Sequence, residues 1–151
     1  MTMDNSTGYN DSFKEETPIW EKMYMRAEDW QQDLAFFKEE FGFLHNLIGG
    51  YIVWVGNEDD MPQIQTVVKR LNKLQDVQGD LNQKLTRQMV TLEELLNKSY
   101  KGSQWQVKEE NAELSKLLKD FTKDIRALKK DIHTVTKIVT DSKKFKQLKK
   151  S

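Results

Sequence analysis

Apolar residues recur at alternating steps of three and four along most of the chain, and the register starts afresh three times. The first run is Trp20, Met23, Ala27, Trp30, Leu34, Phe37, Phe41, Leu44 and Ile48. The second is Ile64, Val67, Leu71, Leu74, Gln78, Leu81, Leu85, Gln88, Leu92 and Leu95. The third is Leu114, Leu118, Phe121, Ile125, Leu128, Ile132, Val135 and Val139. Residues three and four apart share one helix face, and a spacing that averages 3.5 is the seam along which long helices pack. Strands require period two. Only 51–55 has strand composition, and its apolar run continues the helical face.

Punctuation between the runs sets the expected boundaries. Thr17 reads as an N-cap and Pro18 as the first helical residue, where its missing N–H is harmless. The first helix is predicted over about 18–55, stopped by Gly56 and Asn57. Asp60 and Gln63 form a box-like start for the second, with Pro62 in its first turn. That helix is predicted over 61–100 and ended by Gly102. Ser103 and Gln106 match an S-x-x-Q capping box for a third helix over 104–143. Residues 1–16 are expected as a disordered arm and 144–151 as a basic tail, leaving one domain over 17–143.

Short connections force antiparallel neighbours. The expected fold is therefore all-α: an elongated, coiled-coil-like three-helix bundle, up-down-up, with a left-handed twist. Three antiparallel heptad helices are similar to spectrin-type bundles in architecture alone, and a shared fold does not fix a function. Gln78 and Gln88 sit in step with the second seam, and Asn111 one step before the third. Each is expected at a solvated edge or as a buried amide bonded to a neighbour. A sharper reading is control of register, since one polar core residue selects pairing at a cost in stability.

Composition removes several classes of chemistry. With no Cys, disulfides, thiolate metal sites and cysteine catalysis are excluded. His45 and His133 stand in no metal or triad pattern, and no Glu lies three residues before either. The acidic groups Glu28–Asp29–Asp33, Glu39–Glu40 and Glu58–Asp59–Asp60 lack calcium-loop spacing and read as solvated faces or helix-start chemistry. No catalytic residue and no cofactor are expected, so the chain reads as non-enzymatic. The polar stretch 1–16 has no basic region followed by an apolar run, and no stretch approaches the ~20 apolar residues of a spanning helix. A soluble, cytoplasmic protein is expected.

Net charge is zero but unevenly spread. Residues 1–62 carry four bases against thirteen acids, a net −9, whereas 63–104 carry +3 and 105–151 carry +6. An acidic helix beside two basic ones favours a particular pairing and orientation. The cluster Lys143, Lys144, Lys146, Lys149 and Lys150 is the candidate anion-binding group, for nucleic acid or an anionic membrane surface. Its plainer reading is a set of cations complementing a helix C-terminus.

The first helix is too apolar for one seam. It holds nine of the fifteen aromatics, and a second stripe appears at Phe36, Phe43, Leu47 and Trp54. Gly42 and Gly49, seven apart, suit close approach by another helix. These six residues are the candidate interface. The expected partner is a second copy, in an antiparallel homodimer centred near Gly42–Gly49, or another helical protein. A small-ligand carrier with Tyr24, His45 and Trp54 lining a pocket is a further alternative.

Overall fold

Three helices make up the computed structural model: α1 (Thr2–Trp54), α2 (Met61–Leu96) and α3 (Gln104–Lys150). The structure describes the backbone of residues 2–54 and 61–150, and the side chains of 17–50 and 61–141. No strand occurs among the described residues. The fold is an all-α three-helix bundle.

Helix direction follows from which residues meet. Tyr24 of α1 meets Glu93 of α2, and His45 meets Gln75, so α2 returns against α1. Gln88 with Val107, and Arg70 with Asp131, show the same reversal between α2 and α3. Lys108 over Trp20, and Lys129 on Glu40, show α3 running in the direction of α1. The chain divides into two compact units, Met1–Leu34 with Leu81–Leu117, and Ala35–Asp80 with Leu118–Ser151. Each takes a stretch from all three helices.

The seams are buried largely as the register predicts. Every member of the second and third runs is buried, Gln78 and Gln88 included. Val107 and Met89 join them. α1 behaves differently. Trp20, Ala27, Leu34, Phe41, Leu44 and Ile48 are buried, but Met23, Trp30 and Phe37 are only half-buried. Trp30 is flanked by the Arg26 guanidinium, 5.6 Å from its ring centre. Phe37 packs edge-on against Phe121 of α3, with ring centres 5.7 Å apart.

The helix ends depart from expectation in four places. α1 begins at Thr2, so Pro18 lies inside it and residues 2–16 belong to the helix rather than to an arm. Pro18 offers no N–H to the Lys14 carbonyl. Extending an existing helix needs no new nucleus, a saving that local composition does not reveal. Within the predicted span, by contrast, α1 runs unbroken through Gly49 and Gly50, as a helix over 18–55 requires.

α2 stops at Leu96, not near Tyr100. Lys98 has φ 60°, the Lys98 N–H donates to Leu95 O (3.2 Å), and the Ser99 N–H donates to Glu94 O (2.8 Å). That pair of bonds is a Schellman C-cap with lysine where glycine is usual. Gly102 therefore does not end the helix. A Cβ there would run into the Tyr100 ring and hydroxyl, so the residue makes room for that side chain.

The third helix opens on half of the expected box. The Gln106 N–H donates to Ser103 Oγ (3.3 Å), while the Gln106 side chain turns to Glu110 Oε1 (3.5 Å). α3 continues to Lys150, beyond the expected end at Lys143.

Candidate functional site

Helix α1 from Phe36 to Trp54 carries the candidate interface, all within the second unit. Its buried row, Phe41, Leu44 and Ile48, faces α2 and α3. Adjacent helical residues point ~100° apart, so Phe36 and Phe43 fall well outside that row. They are 60% and 65% exposed, and Leu47 is half-buried beside them. Trp54 belongs to α1, but its side chain lies outside the described residues.

Contacts on either side orient this face. Phe36 meets Phe37 edge-on at 6.0 Å, and Phe37 and Phe41 both meet Phe121 of α3. Glu40 pairs with Lys129 of α3 through Oε1, while Glu40 Oε2 is buried without a partner. The phenylalanine edge thus borders α3. On the opposite edge His45 Nε2 lies 2.9 Å from Gln75 Oε1 of α2.

Gly42 and Gly49 are exposed, and a Cβ at either would meet nothing within 4 Å. Among the described residues no helix approaches them, so the close approach expected there is not made by these residues. The reason is angular: both lie on the outer side of α1, away from Phe41 and Ile48.

Charge is sparse on this face. Of nine exposed residues between 35 and 50, only Lys38 and Glu39 are charged, and their signs oppose. On α3 in the same unit, ten of fourteen exposed residues between 118 and 141 are charged. The outer face of α1 is therefore the least hydrated of the two, and removing water from it costs least.

The other predicted groups do not converge. Lys143, Lys144, Lys146, Lys149 and Lys150 lie on α3, but their side chains are outside the described residues. Tyr24 donates to Glu93 Oε1 (3.0 Å) in the first unit, and His45 bonds Gln75 in the second. Donation to that carboxylate raises the Tyr24 pKa above 10.0, with desolvation and the negative charges of Glu93 and Glu28 acting in the same direction. His133 is exposed. Among the described residues, no three His, Asp or Glu side chains are grouped to hold a metal ion, and no helix is long and apolar enough to cross a membrane.

A recess of about 260 Å³ lies between α2 and α3 of the first unit, lined by Lys84, Arg87, Gln88, Glu110, Glu113, Leu114 and Leu117. Neither Tyr24 nor His45 lines it. Sequence reasoning placed Gln88 in the seam but not at a recess. Gln88 Nε2 donates to Val107 O (3.0 Å), and its Oε1 is buried without a hydrogen-bond partner, as is Asn111 Oδ1.

No family model, no curated protein and no solved structure matches this chain.

Proposed function

We propose that this protein works as a non-enzymatic interaction bundle that receives a partner helix on the outer face of α1 between residues 35 and 50. The observation that carries this reading is the pair Phe36 and Phe43, two large aromatic rings more than half exposed on a face with little charge. At 60% and 65% exposure they forgo about 1–2 kcal/mol each of burial free energy. Clustered exposure of this kind marks surfaces that another molecule covers. The half-buried state of Met23, Trp30 and Phe37 is consistent with the same economy, since α1 is the helix least enclosed by its own bundle.

Replacing Phe43 and Leu47 by Lys tests the reading. Association measured by light scattering is expected to fall, while far-UV circular dichroism keeps its helical signal. A variant that loses its helical fold would place the stripe in the core and end this proposal.

A further inference from the structure

The outer face of α3 in the second unit carries a row of one charge sign. Two residues before each seam position from Phe121 to Val139 stand, in order, Lys119, Lys123, Arg126, Lys130, His133 and Lys137. Two helical steps turn ~200°, so this row points away from the buried one. All six residues are exposed, and among the described residues none of them forms an ion pair. Steps of three and four set them on one line, ~27 Å from end to end. Lys119 with Lys123, Lys123 with Arg126, and Arg126 with Lys130 are like charges at spacings that weaken a helix. Hydration alone is served by mixed signs. Neither helix formation nor packing calls for such a row.

The borders of the row are partly neutralised. On the α1 side Lys129 pairs with Glu40, and on the α2 side Asp131 pairs with Arg70. Asp120 and Asp124 stand one position after Lys119 and Lys123, turned ~100° away from them.

We infer that this line of cations rests on an anionic lipid surface. The rest of the face narrows the choice of partner. Exposed residues of α3 between 118 and 141 include no aromatic ring and no Leu, Ile, Val or Met. A partner helix finds no apolar seam here to pack on. Single-stranded nucleic acid finds no ring to stack on. A helix set into a duplex groove has phosphates on both sides, and Asp120 and Asp124 would face one of them. A flat anionic layer asks only for cations on one line. A plane touching the row meets all six side chains together, with the two aspartates about a helix radius farther off. At physiological salt the screening length is ~8 Å, so the nearest charges dominate although the whole chain is neutral.

With no large apolar side chain exposed on this face, contact stops at the headgroups. Among the described residues no helix is long and apolar enough to cross the membrane. The attachment is therefore electrostatic and reversed by salt. Neither the α1 surface nor the Lys143–Lys150 cluster is needed for it.

Flotation of the full chain with vesicles one-quarter phosphatidylserine and three-quarters phosphatidylcholine tests this contact. Wild type is expected to float with these vesicles, not with phosphatidylcholine alone, and to be released by half-molar salt. Each Lys or Arg at such a surface adds about fivefold to partitioning. Lys123→Gln with Lys130→Gln is thus expected to lower it about twentyfold, with an unchanged far-UV spectrum. Lys69→Gln with Lys101→Gln removes the same charge from exposed positions off the row and is expected to change it by less than about threefold. Equal losses from the two double variants overturn the row as the site. A wild type that stays unbound overturns the lipid partner. A short DNA duplex that binds more tightly than the vesicles, with the same dependence on Lys123 and Lys130, overturns it as well and gives the row to nucleic acid.

Discussion

Gln88 offers a test of how this core is held together. Its side chain is 3% exposed, with one amide hydrogen given to Val107 O at 3.0 Å and Oε1 without a partner. Burying an unsatisfied carbonyl costs about 1–3 kcal/mol. The bond to Val107 returns about 1 kcal/mol net. Val107 O keeps its place in the hydrogen-bond ladder of α3 when Gln88 is gone, so no new orphan appears. Leucine in place of the amide adds apolar burial worth about 1 kcal/mol. Gln88→Leu is thus expected to stabilise the protein by about 2 kcal/mol. For a chain of this size that raises Tm by about 4–8 °C. Urea unfolding followed by circular dichroism should show a higher midpoint with an unchanged slope. A midpoint lowered by the equivalent of 1 kcal/mol or more would refute the reasoning, because it would mean that the amide is fully satisfied in solution. A more stable variant with an altered mass would show instead that Gln88 selects the pairing register.

Two further outcomes follow from local geometry. Lys98→Gly removes a side chain from a left-handed residue at φ 60° and should stabilise α2 by about 1 kcal/mol, read from the same unfolding curves. The Tyr24 hydroxyl, raised by its bond to Glu93, should ionise above the ordinary tyrosine range in an absorbance titration, and Glu93→Gln should bring it down. A raised folded-state pKa gives stability that is whole below pH 10 and is lost as pH climbs through the raised value, so the loss belongs to the alkaline limb.

The outer face of α1 shows how a helix can be legible in sequence while its surroundings are not. Phe36, Phe43 and Leu47 stand out as a second stripe because step-of-seven spacing is a local property. Whether that stripe meets α3, another chain or water depends on the angle at which α1 docks. Gly42 and Gly49 illustrate the difference. Their spacing suggests close helix contact, yet no described helix comes near them. Gln88 is the converse case, since its place in the seam predicts burial but not which of its two amide atoms lacks a partner.

By itself the sequence determined the three helices, their order and the buried rows of α2 and α3, from Ile64 to Leu95 and from Leu114 to Val139. Period and short connections act within a few residues, and the apolar rows have nowhere to go but against one another. Tertiary structure decided the rest. It set α1 so that Trp30 and Phe37 are only half-covered and Phe36 and Phe43 are left outside, because one helix in a three-helix bundle can turn just one stripe inward. The cap just past Leu96 is local but was not legible by residue type, because Schellman bonds to Glu94 and Leu95 hold Lys98, where a glycine is usual, in a conformation that its own preferences disfavour.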